Sequence, residues 1–240
     1  MTKLSVNLNK IALLRNQRDL NYPSVLLAAE TCIAAGAQGI TVHPRPDERH
    51  IRRSDVRELA RNLPVEFNIE GNPFPEFMDL VLEVKPDQCT LVPDDPAQST
   101  SDHGWDLNRD GDRLTPIIGR LKDAGIRVSL FMDPVPEAIP GAKAIGADRV
   151  ELYTEPYARA FTDGQSEDSL QLYKESAIAA GDAGLGINAG HDLNLENLGQ
   201  FLSTVPNVLE VSIGHALIAD ALWMGLETAV KKYLAILEQA

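Results

Sequence analysis

"AAGAQGITVHP", residues 34–44, places a glycine just past a helical pattern and then starts an apolar strand that ends at a histidine. The same order of features recurs in DAGIRVSLFMD (123–133), AIGADRVELYTE (144–155) and DAGLGINAG (182–190). Glycine is favoured just past the end of a helix because it adopts left-handed backbone angles without strain. The recurrence therefore predicts a chain in which helices and strands alternate.

Eight strand-type runs occur in the 240 residues, and each is followed by a helical pattern. The strand-type runs occupy residues 3–9, 39–44, 65–71, 88–93, 127–133, 149–155, 186–190 and 209–215. The helical patterns occupy residues 23–35, 53–63, 74–85, 112–124, 136–145, 168–184, 194–204 and 216–238. Eight such pairs without a linker predict one α/β domain over residues 1–240, a (β/α)8 TIM barrel of parallel strands. A doubly wound open sheet is the alternative, but neither a GxGxxG motif after the first strand nor a P-loop supports it.

Several predicted strands alternate between apolar and polar residues, although strands buried on both faces are usually apolar throughout. The polar positions are Lys3, Ser5, Asn7, Asn9, Glu66, Asn68, Glu70, Glu151, Tyr153, Glu210, Ser212 and Gly214. Their apolar neighbours suit packing under helices, so we expect the polar side to point into the barrel. Because unpaired buried carboxylates are costly, these groups either pair with one another or face a water-accessible barrel interior.

The composition excludes several classes of function. A formal charge of −13 argues against general binding to nucleic acid or anionic membranes, since both select basic surfaces. No run of about 18 apolar residues is present, so we expect no membrane span and a cytoplasmic protein. The two cysteines, Cys32 and Cys89, are too few for a disulfide framework and are expected to be buried thiols.

Barrel enzymes place their active sites at the carboxyl ends of the strands. All five histidines of this chain, His43, His50, His103, His191 and His215, lie at or just after predicted strand ends. Histidine titrates near neutral pH, and a nearby carboxylate shifts its pKa further. His43, His191 and Glu70 are therefore predicted to converge from three strands as an acid/base set.

Two loops have the features of phosphate-binding sites. NAGHDLN and IGHALI follow the seventh and eighth strands, where barrels commonly bind phosphate on backbone N–H groups and a helix N-terminus. Arg45 and His50 could form a second anion site, whereas Arg49, Arg52 and Arg53 are expected on solvated faces or interfaces. The long connection 93–111 is predicted to be a lid over the substrate.

A metal site is an open possibility at this stage. His43, His50, Glu70, His191 and His215 could surround Zn²⁺ or Fe²⁺, but no H-x-H or H-E-x-x-H spacing is present. The segment DLNRDGD resembles the start of a calcium loop, but Ile117 stands where such a loop has glutamate.

Motifs in order along almost the whole chain resemble the pyridoxine 5′-phosphate synthase family. They are SVNLNKIALLRNQR, GITVHPRPDERHI, FNIEG, LVP, VSLFMD, NAGHDLN and IGHALI. The resemblance implies a (β/α)8 barrel with extra helices that assembles as a homo-octamer, a tetramer of dimers. It implies that 1-deoxy-D-xylulose 5-phosphate condenses with 3-amino-2-oxopropyl phosphate to give pyridoxine 5′-phosphate, phosphate and water. No metal and no organic cofactor are implied.

The same resemblance assigns roles to individual residues. It implies His43 and Glu70 as proton acceptors and His191 as a proton donor. Residues implied to bind the amino ketone phosphate are Asn7, Arg18, Asp192, Gly214 and His215. Residues implied to bind the deoxyxylulose phosphate are Asn9, Lys10, Arg45, His50 and Thr100.

This chain departs from a common form of the family at three of these positions. The first strand of the family often reads N-x-D-H, where this chain has Asn7-Leu8-Asn9-Lys10. Glycine often follows the catalytic histidine, where this chain has Asp192. An aspartate side chain beside a phosphate would repel it, whereas a backbone contact at this position would survive the change.

Two other functions are compatible with these residues. One is a different barrel lyase or aldolase that acts on sugar phosphates, with or without a metal. The other is a phosphate-metabolite-binding or structural barrel in which the changes at Asn9 and Lys10 mark lost activity. Product formation, sensitivity to chelators and the effect of substituting His43, Glu70 and His191 would separate the three.

Overall fold

The computed structural model of the protein describes residues 1–95 and 101–239. The strands are β1 Lys3–Asn7, β2 Gly39–Val42, β3 Glu66–Gly71, β4 Gln88–Leu91, β5 Arg127–Met132, β6 Arg149–Tyr153, β7 Gly186–Gly190 and β8 Val208–Ile213. The helices are α1 Asn9–Arg15, α2 Val25–Ala34, α3 Arg53–Asn62, α4 Pro75–Val84, α5 Leu107–Asp123, α6 Ile139–Ala144, α7 Glu155–Thr162, α8 Ser166–Asp182, α9 Leu198–Thr204, α10 His215–Met224 and α11 Leu226–Gln239.

The eight strands form a closed parallel barrel in the order of the sequence. Asn7 of β1 lies beside Thr41 of β2, and Lys3 of β1 lies beside Glu210 of β8, which closes the sheet. Aliphatic side chains of the strands, such as Val6, pack outward in the main core beneath the helices. The predicted (β/α)8 barrel is confirmed, and the open-sheet alternative is wrong.

The first strand is shorter than predicted. It ends at Asn7, and Asn9, which we expected as its last residue, begins helix α1. The side-chain oxygen of Asn7 accepts a hydrogen bond from the backbone N–H of Asn9 at 3.0 Å. Such a bond stabilises a tight turn. Helices α1 and α7 were not predicted from the local pattern, but they agree with the extra helices that the resemblance implied.

Two other helix boundaries also differ from the prediction. Helix α5 begins at Leu107 because the side chain of Asp106 accepts a hydrogen bond from Asn108 and caps it. The connection from β4 to α5 is therefore shorter than the predicted residues 93–111. The single helix expected over 216–238 is two helices, because Gly225 between them has a φ of 83°.

The polar barrel interior predicted from the alternation is confirmed. The buried hydroxyl of Thr90 donates to Asn68 at 3.1 Å, and Arg149 lies 3.7 Å from Glu210, which is also buried. Some of the inward side chains thus pair with one another, whereas one oxygen each of Glu151 and Glu210 has no hydrogen-bond partner among the described residues. That water also reaches this interior stays a prediction.

Cys32 and Cys89 are both buried and unbonded to each other, which confirms the expectation of plain buried thiols. No helix in the described ranges has both the length and the apolar character needed to cross a membrane.

Candidate active site

A cavity of about 400 Å³ opens at the carboxyl ends of the strands. The three predicted acid/base residues, His43, Glu70 and His191, all contribute to its wall. Eight of the ten predicted binding residues also line it: Asn7, Asn9, Lys10, Arg45, His50, Asp192, Gly214 and His215. Residues that are far apart in sequence therefore converge on one space, as the barrel topology predicted.

His43 follows β2 and is held between two carboxylates. Its Nδ1 lies 3.8 Å from Oε2 of Glu70, and its Nε2 lies 3.2 Å from Oδ2 of Asp94. Burial, and then the nearby charges of Arg45 and Arg49, lower the pKa of His43 to about 3. The imidazole is therefore neutral near pH 7, and a neutral imidazole can accept a proton.

Glu70, the neighbour of His43 on β3, lies among other buried carboxylates. Burial first, and then the charges of Glu151, Asp94 and Glu210, raise the pKa of Glu70 well above its ordinary value. The amide of Asn7 lies within 3.4 Å of its Oε2. A carboxyl group with a raised pKa keeps its proton to higher pH than an ordinary glutamate, so it can serve in acid/base chemistry.

Glu151 on β6 is a cavity residue that the sequence placed at a strand end but to which it gave no role. Burial, and then the charge of Glu210, raise its pKa to about 8. Gly190 on the neighbouring strand leaves room for it, since an added Cβ there would lie 2.5 Å from Oε1 of Glu151. The cavity floor thus carries a second carboxyl group that favours its protonated form.

Replacing Glu151 by glutamine is expected to change how stability depends on pH. The folded protein keeps the Glu151 proton up to about pH 8, whereas the unfolded chain releases it near its ordinary value of 4.5. The unfolded state thus binds fewer protons in this window, so the wild-type free energy of unfolding falls relative to that of Glu151→Gln as pH rises. Urea unfolding of both proteins across the window measures this; a difference that is independent of pH would contradict it.

His191 directly follows β7, and its ring is turned toward Asp192. The two residues have φ values of 87° and 63°, and His191 Nδ1 lies 3.1 Å from the carboxylate of Asp192. The hydroxyl of Thr154 donates to the carbonyl oxygen of His191 at 2.6 Å and holds this turn. The hydrogen bond with His191 lowers the pKa of Asp192. The Asp192 carboxylate thus has a histidine partner beside the cavity. The aspartate that stands where the family often has glycine is therefore engaged by its neighbour His191.

Cationic and amide groups form one rim of the cavity. Asn9 accepts a hydrogen bond from the backbone N–H of His43 at 2.9 Å, so α1 is tied to the end of β2. Burial, followed by the charges of His43, Arg45, Lys10 and Arg49, lowers the pKa of His50 to about 3. His50 is therefore neutral near pH 7, and the positive charges that attract anions to this rim are those of Lys10, Arg45 and Arg49, although the chain as a whole is acidic.

Arg49 corrects one expectation. It was predicted to lie on a solvated face or an interface, but it lines the cavity. Its Nε lies 2.8 Å from Oδ2 of Asp47. The charged residues of the sequence do not show that Arg49 lies in the cavity wall, because its side chain reaches the cavity from a loop and not from a strand.

The opposite rim is formed where β8 passes into α10. Gly214 caps this helix, and His215 is its first residue. An added Cβ at Gly214 would lie 3.0 Å from Cβ of Asn7, so glycine is needed for the close approach of the two strands. Exposed N–H groups at a helix start are suited to anions, as predicted for IGHALI.

The other two predicted binding residues are Arg18 and Thr100. Arg18 is exposed and lies outside the lining of the cavity. Thr100 lies outside the described residues, and so does part of the predicted lid over residues 93–111. His103, noted for its place after the fourth strand, is exposed and lies against Asp102.

Two buried residues near the site were given no role from the sequence. Arg15 on α1 forms a bidentate ion pair with Asp55 on α3, at 2.5 and 2.8 Å. Asp94 contacts both His43 and Arg45. Asp94 could have been found because it follows a strand end, whereas nothing in the local pattern around Arg15 signals burial.

The sequence left a metal site open as an alternative. Within residues 1–95 and 101–239, no three His, Cys, Asp or Glu side chains are placed to hold a metal ion together. His43 instead contacts Glu70 and Asp94, and His191 contacts Asp192.

The amino-acid sequence matches known proteins along nearly its whole length. The family model described as "Pyridoxal phosphate biosynthesis protein PdxJ" matches residues 4–239. A pyridoxine 5′-phosphate synthase from Xanthomonas campestris pv. campestris (strain B100) is 57% identical over 246 residues, which cover 98% of this chain and 96% of the relative. A protein of the same name from Bacteroides fragilis (strain YCH46) is 57% identical over 233 residues, with coverage of 97% and 98%.

Solved structures of more distant proteins share the architecture. Phosphoribosylanthranilate isomerase from Thermotoga maritima has a TM-score of 0.62 at 15% identity and covers 100% of both chains. Thiamine phosphate pyrophosphorylase from Pyrococcus furiosus has a TM-score of 0.60 at 14% identity, covering 99% of this chain and 96% of its own. At such identities the likeness concerns the barrel fold alone.

Proposed function

Because this chain belongs to the PdxJ family of pyridoxal phosphate biosynthesis proteins, we propose that its cavity builds the pyridine ring from two small phosphorylated substrates. The chain is an enzyme, a pyridoxine 5′-phosphate synthase. The substrates are 1-deoxy-D-xylulose 5-phosphate and 3-amino-2-oxopropyl phosphate, and the products are pyridoxine 5′-phosphate, phosphate and water. The observation that carries the site assignment is that acid/base groups from three strands share one cavity with a cationic rim.

The acid/base roles follow from the protonation state and the contacts of each side chain. An amine must add to a ketone, water and phosphate must leave, and a carbon–carbon bond must close the ring, so protons move at every stage. His43 is neutral and acts as a proton acceptor, and Glu70, with its raised pKa, accepts and returns protons beside it. His191, paired with Asp192, acts as the proton donor. An incoming phosphate dianion raises the pKa of His43 toward the working range, because a nearby negative charge favours the protonated imidazole.

The two phosphates bind on opposite rims. Arg45, His50, Lys10 and Asn9, together with Thr100, hold the phosphate of the sugar substrate. This assignment is supported by the cluster of positive side chains at that rim.

Gly214 and His215 at the start of α10 hold the phosphate of the amino ketone, together with Asn7, Asp192 and Arg18. At position 192 the backbone makes the contact, since the carboxylate is engaged by His191. Arg18 lies outside the cavity wall of a single chain.

The enzyme associates with itself, and by resemblance it forms a homo-octamer, a tetramer of dimers. Large apolar side chains stand exposed in the connection from α1 to α2 and in the last turn of α10: Leu20 at 70%, Tyr22 at 77%, Leu222 at 70% and Trp223 at 88%. Exposed apolar groups of this size are typical of interaction surfaces. Light scattering on the purified chain measures the mass of the assembly. A cytoplasmic location stays a prediction.

Incubating the purified chain with both substrates is expected to release phosphate and form pyridoxine 5′-phosphate in equal amounts. Omitting either substrate should abolish both signals, because each contributes atoms to the ring. Pretreatment with EDTA should leave the rate unchanged, which separates this reaction from that of a metal-assisted lyase or aldolase. Folded protein that forms no product from the complete mixture would contradict the assignment.

A further inference from the structure

Asp94, which follows β4, places one carboxylate oxygen against three other side chains. Its Oδ2 lies 2.8 Å from Nη2 of Arg45 and 3.2 Å from Nε2 of His43, and it accepts a hydrogen bond from the hydroxyl of Ser101 at 3.1 Å. All four side chains are buried, and Asp94 is only 5% exposed. Charge-assisted hydrogen bonds in a buried setting are strong. Asp94 therefore links the proposed base to the proposed anion-binding guanidinium.

The contact with His43 determines how its imidazole is oriented. An ionised Asp94 oxygen can only accept, so the contact at 3.2 Å favours the tautomer of the neutral ring that carries its proton on Nε2. The other nitrogen, Nδ1, is then unprotonated and faces Glu70 at 3.8 Å. Fixing the tautomer through the second ring nitrogen is a common way of orienting a catalytic histidine. Asp94 thus keeps the accepting nitrogen of His43 directed toward Glu70 and the cavity.

The contact with Arg45 places the carboxylate where a phosphate oxygen would bind. Guanidinium groups bind carboxylate and phosphate with the same N–H donors. A substrate phosphate that approaches Arg45 must therefore share or replace the acceptor that Asp94 provides. The Asp94 carboxylate lowers the affinity of this rim for anions while keeping Arg45 in place.

We propose that Asp94 is a positioning residue that holds His43 in one tautomer and occupies the anion position on Arg45 until a substrate phosphate takes that position. The inference rests on the proposed function, because it takes Arg45 as part of the sugar phosphate site. Asp94 touches no reacting atom and acts only through His43 and Arg45.

Substituting Asp94 by asparagine separates the two effects of the carboxylate. The neutral amide competes less for Arg45, so the affinity for inorganic phosphate and for the sugar phosphate should rise about tenfold. The imidazole of His43 loses its fixed orientation, so kcat should fall about tenfold to a hundredfold. Titration calorimetry and steady-state kinetics measure these two quantities. A purely structural role would weaken binding and turnover together.

Two comparisons test whether Arg45 carries the gain in affinity. Glu76→Gln removes an exposed carboxylate near the same loop, and it should leave both quantities unchanged. Repeating Asp94→Asn in an Arg45→Gln background should abolish the gain. A gain that persists without Arg45, or one that Glu76→Gln reproduces, would overturn the proposal, as would unchanged or weaker phosphate binding by Asp94→Asn.

A second variant tests the proposal in case the Asp94→Asn protein does not fold. Ser101→Ala removes the hydrogen bond from the serine hydroxyl to the carboxylate without removing charge, and it should shift both quantities in the same directions by smaller amounts. No shift in a folded Ser101→Ala protein would count against the proposal. Because phosphate binding is measured without turnover, failure of the wild-type protein to form product would contradict the proposed function and leave the binding result interpretable.

Discussion

Replacing His43 by asparagine is expected to lower kcat by about a thousandfold. Asparagine preserves a polar side chain of similar reach, but it cannot take up a proton in the neutral range. The loss should be large because the imidazole is buried between Glu70 and Asp94, and an amide at that position leaves no neutral base there. Initial rates of phosphate release at saturating concentrations of both substrates measure the effect.

His103→Asn is the matched control for that substitution. His103 also follows a strand end in the sequence, but its ring is exposed and lies against Asp102 outside the cavity wall. Its replacement should leave kcat within about twofold of the wild-type value. A fall of less than about tenfold for a folded His43→Asn protein, or equal losses for both variants, would remove His43 from the proposed mechanism.

The contrast between these two histidines shows what the sequence could predict about the site. Parallel strands of a barrel end at one rim, so residues placed at strand ends converge without any knowledge of contacts. His43, Glu70 and His191 were found in this way. His103 belongs to a longer loop, and position along a loop does not determine where a side chain lies.

Residues that work through tertiary contacts were harder to find. Arg15 lies inside a helical segment whose spacing gives no sign of a partner, and Asp55 follows 40 positions later. Arg49 was assigned to a solvated face because a cluster of arginines is usually solvated, and only the loop geometry brings it to the cavity. Sequence spacing determines the faces of helices and strands, whereas such pairings depend on how those elements pack.

The sequence also could not determine where every helix begins and ends. A break such as Gly225 is compatible with one long helix or with two, because a single glycine inside a helix costs only about 1 kcal/mol. Its φ of 83° shows that the chain turns there. The short helices α1 and α7 have too few residues to display a period, so the barrel rule alone could not place them.

Replacing Asp55 by alanine is expected to lower the free energy of unfolding by about 3–5 kcal/mol. The substitution leaves the guanidinium of Arg15, which is 1% exposed, without the carboxylate that it contacts at 2.5 and 2.8 Å. It also removes the acceptor for the backbone N–H of Arg52 at the start of α3. Urea unfolding at constant pH measures the change.

Two comparisons show whether the loss comes from a buried charge left without its partner. Glu83→Ala breaks the exposed ion pair with Arg57 and should change stability little, because exposed pairs contribute little. Adding Arg15→Met to Asp55→Ala should recover part of the loss, because an apolar side chain of similar volume needs no ionic partner. A loss below about 1 kcal/mol, or a double variant less stable than Asp55→Ala, would contradict the account. Arg15 also donates to the carbonyl oxygen of His50 at 3.0 Å. The ion pair therefore ties α1 to the loop that carries the cationic rim. Because of this link, stability and substrate affinity should fall together in Asp55→Ala.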